Sequence, residues 1–468
     1  MYLTGLSGTY SSTSMRFSSK SHTYGRRKLH SNMTYSNPVL RLVKWICAAV
    51  ALVFVCGCRS FDRDTGGTVV IHIADWGGAS SDKKMAQFQT DVAAEWNRIH
   101  PEIRIAQEHI PGSGEYVSKM LTAFVAGTEP DIMTLDASSA AAFIDNETLL
   151  DLMPFVSADH VDLDAYYPNV LAVAKRGTKL YALPADFTPM MIFYNKRLFD
   201  TAGVKYPADN WDWNEFLDDC KRLTIRPPGR ASPSQYGFQV QNWMPGWITW
   251  VWQNGGDVLD AEGRRAEGAL DSPATVEGLR FFSDMVIRDH VAPSLSMAQS
   301  QGADPFQSGM CAMQMSGHWN LVGLNASERI HMSDVGVVGL PHRRDRVTVI
   351  YESGYAITKR CRHSRAAWEY AKFMSGPFVQ RKKAELGIGI SANRAIAEGR
   401  RHSSPLEPEF LDNIKYGRSP WGARVEGYAQ VEDIGTEMMD SILVGGVTPG
   451  SAAHDAAVRI DGELGASR

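Results

Sequence analysis

Three acidic residues of this sequence stand where side chains commonly do chemistry, at the ends of apolar or β-branched runs. They are Asp136, Asp186 and Glu352. Two carboxylates about 5–10 Å apart are what glycoside hydrolysis requires. The same side chains could instead accept hydrogen bonds from the hydroxyl groups of a bound ligand. The residue types therefore leave both a catalytic use and a binding use open.

Other chemistries find little support in the sequence. There is no nucleophile elbow, no HExxH motif and no phosphate-binding loop, and the glycines after the first predicted strand do not form GxGxxG. After Cys58 the remaining cysteines are Cys220, Cys311 and Cys361, with no CxxC pair and no histidine at metal-ligand spacing. We therefore expect no metal and no cofactor, and we interpret these cysteines as small buried side chains with at most one disulfide.

Composition excludes several classes of protein. The chain has 468 residues, of which 44% are hydrophobic and 21% charged, as expected for a folded protein rather than a disordered or fibrous one. Its length predicts two to four domains or two large lobes. The net charge of −4 implies no surface for a polyanion, so no nucleic-acid partner is expected.

The N-terminus has a different character from the rest of the chain. Residues 1–57 contain seven Lys and Arg but no Asp or Glu, and an apolar run of 13 residues, 45–57. That run is too short for a helix across a bilayer core of about 30 Å, but it suits a signal peptide. It ends in 55–58 (VCGC), which resembles the lipobox of bacterial lipoproteins. We predict a targeting segment over 1–57, a lipid on Cys58 and an extracytoplasmic, membrane-anchored protein. A plain signal peptide, an anchor helix and a start at Met33 remain open.

The elements that must position the acidic residues begin with an alternation of strands and helices. Strands are predicted at 69–74, 103–110 and 131–136, with amphipathic helices between them. This order is typical of a parallel sheet with helices on both faces, where ligands bind beyond the carboxyl ends of the strands. Trp76 and Asp136 stand at two such ends. Alternatively, Trp76 is a surface or packing residue and Asp136 is the N-cap of a helix over 138–145.

The 12 tryptophans are numerous for this length, and four of them crowd into ten residues. Trp247 and Trp250 share a face of a predicted helix, whereas Trp252 turns away from Trp247. One face is therefore expected in the core and another is expected to be exposed, with Trp250 and Trp252 assigned to the core. Later elements are predicted as strands at 180–185, 190–195, 311–315 and 348–351 and as helices at 163–175, 276–288, 364–374 and 431–443.

Five motifs, in order along the chain, resemble family 1 extracellular solute-binding proteins of ABC importers. The resemblance runs from about residue 69 to 460 and rests on these segments: 127–132 (GTEPDI), 181–184 (YALP) with 193–196 (FYNK) and Phe199, 211–216 (WDWNEF), 306–319 (FQSGMCAMQMSGHW) and 366–370 (AAWEY). Each segment alone is a weak signal, whereas five in sequence behind a lipobox form a specific one.

The resemblance implies an α/β fold of the two-lobed periplasmic-binding-protein type (type II-like). Each lobe would be a sheet flanked by helices, and hinge strands would join the lobes, which close on a ligand. Crossings between lobes are expected near 184–189, 315–319 and 374–379. The implied boundaries are a linker at 58–68, lobe 1 at 69–184 and about 319–374, and lobe 2 at about 185–318 and 375–468.

The resemblance extends to maltose-binding proteins and so implies a sugar ligand. Sugar rings stack their apolar faces on aromatic side chains, and their hydroxyls are held by carboxylates and amides. The candidate ligand-binding residues are Trp76, Asp136, Asp186, Phe187, Trp243, Trp247, Trp319, Glu352, Tyr355 and Trp421. For Asp186 and Phe187 the alternative is hinge packing, and for Trp421 it is a packing loop.

The function implied is that of a receptor which binds a sugar or oligosaccharide and delivers it to an ABC permease. It would act as a monomer and perform no chemistry. Two alternatives remain at this point: a secreted carbohydrate-active enzyme, and a solute-binding protein for a polyamine, iron or a phosphodiester.

Overall fold

The computed structural model describes residues 67–76, 83–110, 112–230, 232–300 and 304–466, and these belong to one compact unit. The predicted targeting segment 1–57, Cys58 and most of the linker 58–68 lie outside the described residues.

The described residues form helices and strands that are numbered here in chain order. The α-helices are α1 (Lys83–Ile99), α2 (Ser113–Ala126), α3 (Ala140–Ile144), α4 (Met153–Ala158), α5 (Pro168–Val173), α6 (Lys196–Ala202), α7 (Trp213–Leu223), α8 (Met244–Gln253), α9 (Pro273–Ile287), α10 (Leu295–Ser300), α11 (Asn320–Ala326), α12 (Ser364–Met374), α13 (Pro377–Leu386), α14 (Arg394–Gly399), α15 (Glu407–Asn413), α16 (Tyr428–Leu443) and α17 (Pro449–Ala466). The strands are β1 (Val69–Asp75), β2 (Ile103–His109), β3 (Ile132–Asp136), β4 (Lys175–Arg176), β5 (Lys179–Leu180), β6 (Ala182–Pro189), β7 (Met191–Asn195), β8 (Tyr236–Gln239), β9 (Cys311–Ser316), β10 (Val335–Val338), β11 (Thr348–Ile357), β12 (Ile390–Ser391) and β13 (Gly417–Arg418).

The first sheet has the strand order β12-β6-β11-β3-β1-β2, with β13 paired to β11. Strand β1 runs parallel to both β2 and β3, so the predicted strand–helix–strand–helix–strand unit is confirmed. Strand β11 lies antiparallel between β3 and β6. The carboxyl ends of β1 and β3 therefore lie at the same edge of the sheet as the middle of β11.

Local sequence explains why these elements form where they do. The apolar face of α1 buries Val92 and Trp96, and the indole Nε1 of Trp96 donates to the carbonyl of Ile103, 3.0 Å away. Helix α2 ends at Gly127, whose φ of 68° is left-handed and favours glycine. Both features agree with the spacing in the sequence.

The second sheet has the order β10-β7-β9-β8 and its own hydrophobic core. Helix α7 packs against β8 and begins with a capping box, in which Asp212 caps the backbone while Glu215 bonds back to Asp212. The rings of Phe216 and Trp250 meet in this core, with centroids 5.2 Å apart. Helices α8, α9, α16 and α17 supply the remaining apolar surface.

The chain passes from the first sheet to the second between β6 and β7, where only Met190 separates the two strands. Strand β11 holds this crossing, since Thr348 Oγ1 donates to the Met190 carbonyl at 2.7 Å. This position agrees with the predicted crossing near 184–189.

Two segments differ from the lobe ranges implied by the sequence. Strand β10 falls in the range given to lobe 1 but pairs antiparallel with β7 in the second sheet, from Val335 opposite Asn195. Helix α13 falls in the range given to lobe 2, yet it packs against α1 and places Val379 in the core of the first sheet. The chain therefore does not change sheets near 374–379, and the remaining lobe boundaries stay a prediction.

Candidate functional site

A cavity of about 950 Å³ lies where elements of both sheets meet, and it is large enough for a small-molecule ligand. It is lined by the ends of β1, β2 and β3, the middle of β6 and β11, the start of α8, and parts of α1, α13 and α16. Eight of the ten candidate residues line it: Trp76, Asp136, Asp186, Phe187, Trp243, Trp319, Glu352 and Tyr355. Their contact with a ligand stays a prediction.

The strand register explains how two of the acidic residues come together. Ser353 of β11 lies opposite Asp136 of β3 on one side and opposite Asp186 of β6 on the other. The hydroxyl of Ser353 donates to Asp186 Oδ1 at 2.8 Å. Three neighbouring strands thus present one polar row to the cavity.

Asp186 is neutralised by a lysine that sequence reasoning missed. Lys383 Nζ donates to Asp186 Oδ2 at 2.9 Å and to the Tyr355 hydroxyl at 3.2 Å. Burial by itself lowers the pKa of Lys383, but the Asp186 carboxylate and the Tyr355 hydroxyl outweigh burial and raise it. Lys383 is therefore charged, and its charge is already committed to Asp186.

Asp136 is held in place by the residues that follow it. Its Oδ1 accepts from the backbone N–H of Ser138 at 2.8 Å and from the Ser138 hydroxyl. Helix α3 begins later, with Ser139 at the N-cap position and no side-chain cap. Burial raises the pKa of Asp136, although the bonds from Ser138 oppose this and the charge of Asp186 adds to it.

Glu352 is deeply buried, with 4% of its surface exposed, yet only half of its carboxylate is satisfied. Its Oε1 accepts from the Ser419 hydroxyl at 2.9 Å, while Oε2 has no hydrogen-bond partner. Burial raises the pKa of Glu352 well above its ordinary value, the bond from Ser419 opposes this, and the charge of Asp136 raises it further. This carboxylate can accept a hydrogen bond from a ligand.

A fourth acidic residue, Glu432 on α16, also lines the cavity. Burial and the charges of Asp136 and Asp433 raise its pKa to about 8. No motif in the sequence marks Glu432, because it reaches the site only through the packing of α16.

An aromatic group stands beside these carboxylates. The rings of Trp243 and Tyr351 are nearly parallel, with centroids 6.1 Å apart and an interplanar angle of 6°. Trp319 meets Tyr351 edge-on at 6.1 Å and 71°, and 39% of its surface is exposed. Tyr351 was missed because the sequence marks it only as the end of a strand.

The end of β2 contributes further polar side chains to the cavity. His109 Nδ1 lies 2.5 Å from Asp75 Oδ1, and Gln107 Nε2 donates to Asp75 Oδ2 at 2.7 Å. Nearby, Trp76 meets Tyr116 edge-on with centroids 5.4 Å apart. A signal for His109 did exist, since β2 runs parallel to β1 and its carboxyl end must reach the same edge.

Two candidate tryptophans do not reach the cavity, so their prediction as ligand-binding residues is wrong. Trp247 is fully buried, with its ring against Gly435 of α16. Trp421 is 2% exposed, its Nε1 donates to Asp257 Oδ1 at 2.7 Å, and the Arg424 guanidinium lies 4.1 Å from its ring centroid. Both are packing residues of the second core.

The predicted exposed face of the tryptophan helix is also wrong. All ten residues of α8 are buried, because α9, α16 and β11 pack around it. The assignment of Trp250 and Trp252 to the core is confirmed, since their surfaces are 1% and 2% exposed.

The described residues contain no group of three or more His, Cys, Asp or Glu side chains placed to hold a metal ion. Within the same residues, no helix is both long and apolar enough to cross a membrane. Cys220, Cys311 and Cys361 are free thiols, the first two buried.

Comparison with known proteins gives consistent matches. Residues 78–381 match the family described as bacterial extracellular solute-binding protein. An arabinooligosaccharide-binding protein of Halalkalibacterium halodurans is 21% identical over 221 residues, which is 46% of this chain and 47% of that protein. These matches place the whole middle of the chain in a family of binding proteins.

Two solved structures have a similar fold over nearly their whole length. An ABC substrate-binding protein from Listeria monocytogenes, in complex with cycloalternan, has a TM-score of 0.76 at 20% identity and covers 85% of this chain and 99% of its own. UgpB from Mycobacterium tuberculosis, in complex with glycerophosphocholine, has a TM-score of 0.71 at 18% identity, with coverages of 86% and 99%. The α/β fold with two helix-flanked sheets is therefore the two-lobed periplasmic-binding-protein fold, as predicted.

Proposed function

Because the chain belongs to the family of bacterial extracellular solute-binding proteins, we propose that it is the receptor of an ABC importer for a sugar or oligosaccharide. It binds the sugar in the cavity and delivers it to the permease subunits. The observation that carries this proposal is an aromatic group beside buried polar atoms that have no partner within the protein.

The aromatic rings suit the apolar faces of a pyranose. Trp319 exposes a flat face at the cavity, and Trp243 and Tyr351 stand next to it. Such rings supply contact area at a low cost in side-chain entropy. A sugar that stacks on Trp319 would therefore gain affinity while little side-chain freedom is lost.

The unpartnered polar atoms suit the hydroxyls of the same ligand. Thr134 Oγ1, Trp243 Nε1 and Glu352 Oε2 are all buried without a hydrogen-bond partner, and all three residues line the cavity. Leaving a buried polar group unsatisfied costs about 1–3 kcal/mol. A polyhydroxyl ligand offers both donors and acceptors to these atoms, which supports sugar over an apolar ligand.

A phosphodiester, as in the complex of UgpB, is the main competitor within the family. A phosphate needs uncommitted cations. This cavity presents Asp136, Glu352 and Glu432, its Lys383 is paired with Asp186, and its one arginine among the described lining residues, Arg104, is exposed at the start of β2. The charge of the cavity therefore favours a neutral or cationic ligand. The sugar ligands of the Listeria and Halalkalibacterium proteins support the same choice.

We infer that no chemistry follows binding, since the family consists of binding proteins. Because Asp136 and Glu352 line the same cavity, the alternative that the protein hydrolyses the saccharide is tested directly. Chromatography of an oligosaccharide incubated with the protein should show no cleavage. Products that form in proportion to the amount of protein would favour the carbohydrate-active enzyme instead.

We further propose that the receptor works as a lipid-anchored monomer whose lobes close on the sugar. Ligand contacts can favour closure only if they come from both lobes. Small-angle scattering should give a smaller radius of gyration at saturating sugar.

The lipid anchor has its own test. Cys58→Ser should release the protein from membranes, whereas unchanged membrane fractionation with an uncleaved N-terminus would favour an anchor helix.

A thermal-shift screen tests the receptor function most broadly. It compares monosaccharides, oligosaccharides and glycerophosphodiesters at equal concentration. A ligand at 100 times its dissociation constant adds about 2.7 kcal/mol to the free energy of unfolding. We expect the largest shifts from saccharides. A shift from glycerophosphodiesters alone would reject the sugar-receptor function.

A further inference from the structure

The carboxylates around the aromatic group have no basic partner. In the described part of the chain, no Lys, Arg or His lies at ion-pair distance from Asp136, Glu352 or Glu432, and the groups that act on these three are mainly other acids. Asp186, in the same cavity, differs because Lys383 lies 2.9 Å away. Of these four carboxylates, Asp186 thus has a compensating cation and the other three have none.

One of these carboxylates is poised to take a ligand group. Glu352 Oε2 is buried without a hydrogen-bond partner, although Oε1 of the same side chain is held by Ser419. Burial without a counter-charge disfavours the charged form of Glu352, and a bound cation would favour it again.

The rings beside the carboxylates favour the same kind of group. Tyr351 and Trp243 present parallel rings at the cavity, with Trp319 edge-on to Tyr351. A cation over such a ring is attracted by its electron-rich face, and the attraction is strongest where water is excluded. Aromatic rings that stand among unpaired carboxylates are a combination that recognises an ammonium group.

We propose that the site takes a saccharide that carries a protonated amino group, with the ammonium among Asp136, Glu352 and Glu432 beside the rings of Trp243 and Tyr351. This inference rests on the proposed sugar-receptor function and narrows its ligand class. An ammonium offers three N–H donors and one positive charge, whereas a sugar hydroxyl offers one donor and no charge.

The surroundings of Glu432 predict that binding of the amino group releases a proton. The groups that act on it are Asp136 on β3, Tyr351 on β11, and Tyr428 and Asp433 on its own helix. Burial and the acidic neighbours raise the pKa of Glu432, so it is protonated in the free protein near pH 6.5. A bound ammonium favours the carboxylate, so binding releases a proton.

The test uses matched sugars that differ in one amino group. Isothermal titration calorimetry at pH 6.5 compares glucosamine with glucose, galactosamine with galactose, and the glucosamine disaccharide of chitosan with cellobiose, all on the full chain. We expect the amino member of the best pair to bind at least about ten-fold tighter. Its apparent enthalpy should change between buffers of different ionisation enthalpy, because a proton is released.

Two variants and a matched control test whether Glu352 and Glu432 cause the preference for the amino sugar. Glu352→Gln and Glu432→Gln should each weaken binding of the amino sugar more than binding of its neutral counterpart, so that the amino preference falls to about three-fold or less. Glu437→Gln serves as control, since Glu437 lies on the same helix but is exposed and paired with Arg459 at 2.6 Å. It should leave the preference unchanged.

The outcomes separate this inference from the receptor function. If neutral sugars bind as tightly as their amino counterparts, the amine inference is overturned and the sugar receptor stands. If spermidine or choline binds and no saccharide does, both are overturned in favour of a receptor for small cations. If no probe binds, the amine inference is overturned, and the wider sugar screen decides the receptor function.

Discussion

The five tryptophans that the sequence suggested as ligand-binding residues fall into two groups that the sequence does not distinguish. Trp76, Trp243 and Trp319 line the cavity, whereas Trp247 and Trp421 are buried in the second core. Trp243 and Trp247 are separated by one turn of chain, yet they have different surroundings. The comparison teaches that the neighbours of an aromatic ring, rather than its type or its place in a motif, decide between binding and packing.

Glycines make room for the ring in both groups. A Cβ at Gly317 would lie 2.3 Å from the Trp319 ring, and a Cβ at Gly435 would lie 2.8 Å from the Trp247 ring. At Gly317 the ring folds back over the backbone and keeps 39% of its surface exposed. At Gly435 the ring fills the interface between α8 and α16. The same device therefore builds a binding surface in one place and a core in the other.

The largest expected effect is on stability, from Trp247→Ala. Removing a fully buried tryptophan leaves a cavity and costs about 3–5 kcal/mol of unfolding free energy. Denaturant unfolding should show this loss, while calorimetry on the folded fraction should give an unchanged affinity for sugar. A variant that keeps its stability but binds sugar more weakly would show that Trp247 is a ligand-binding residue.

Trp319→Ala should show the opposite pattern. Truncating an aromatic anchor of a binding site costs more than about 2 kcal/mol, which is about 30-fold in affinity. The melting temperature should change little because the ring is partly exposed. Trp319→Phe should lose less affinity, since a smaller ring keeps part of the stack. Normal affinity together with a collapsed melting temperature would place Trp319 with the packing residues.

Gly317→Ala tests whether the absence of a side chain at residue 317 gives the Trp319 ring its position. The added Cβ would displace the Trp319 ring, so affinity should fall by about three- to ten-fold. The double variant with Trp319→Ala should bind no more weakly than Trp319→Ala alone, because both changes remove the same contact. Gly323→Ala is the matched control, since its nearest atom would be 3.7 Å away. Additive losses would show that Gly317 acts through something other than Trp319.

The smallest expected effect concerns pH and Glu432. Its pKa of about 8 lies above the ordinary value of 4.5, so the native state holds this proton more tightly than the unfolded state. Its contribution to stability is present below about pH 4.5 and is lost as pH rises toward 8. Glu432→Gln should therefore be more stable than the wild type at pH 8, by on the order of 1 kcal/mol, and equal to it near pH 5.

Glu437→Gln should follow the wild type at both pH values. An equal gain for Glu437→Gln and Glu432→Gln would show that the net charge of the protein, rather than the cavity, is responsible.

The sequence predicted the first sheet well because periodic patterns determine it. The β-branched run of β1, the apolar spacing along α1 and the glycine after α2 each depend on nearby residues. From these elements the positions of Trp76 and Asp136 at strand ends followed directly. The family resemblance supplied Trp243, Trp319 and Glu352, although the predicted strand 348–351 continues through Glu352 to Ile357.

The remaining features depend on contacts between distant segments, which a local pattern does not contain. Helix α8 was predicted to have one buried and one exposed face, but other elements pack against it from three sides and bury all of it. Lys383 and Glu432 are ordinary charged residues of helices until α13 and α16 pack beside β6 and β11. The charge balance of the cavity, and with it the inference about ligand class, therefore required the structure.

The most direct test of the central claim is to observe both groups of tryptophans in one NMR experiment. The indole Nε1–H resonances are assigned by single Trp→Phe variants, and the saccharide with the largest thermal shift is added to saturation. The signals of Trp76, Trp243 and Trp319 should shift, while those of Trp247 and Trp421 should stay in place. Shifts confined to Trp247 and Trp421, with the cavity tryptophans unchanged, would contradict the assignment of this cavity as the sugar site.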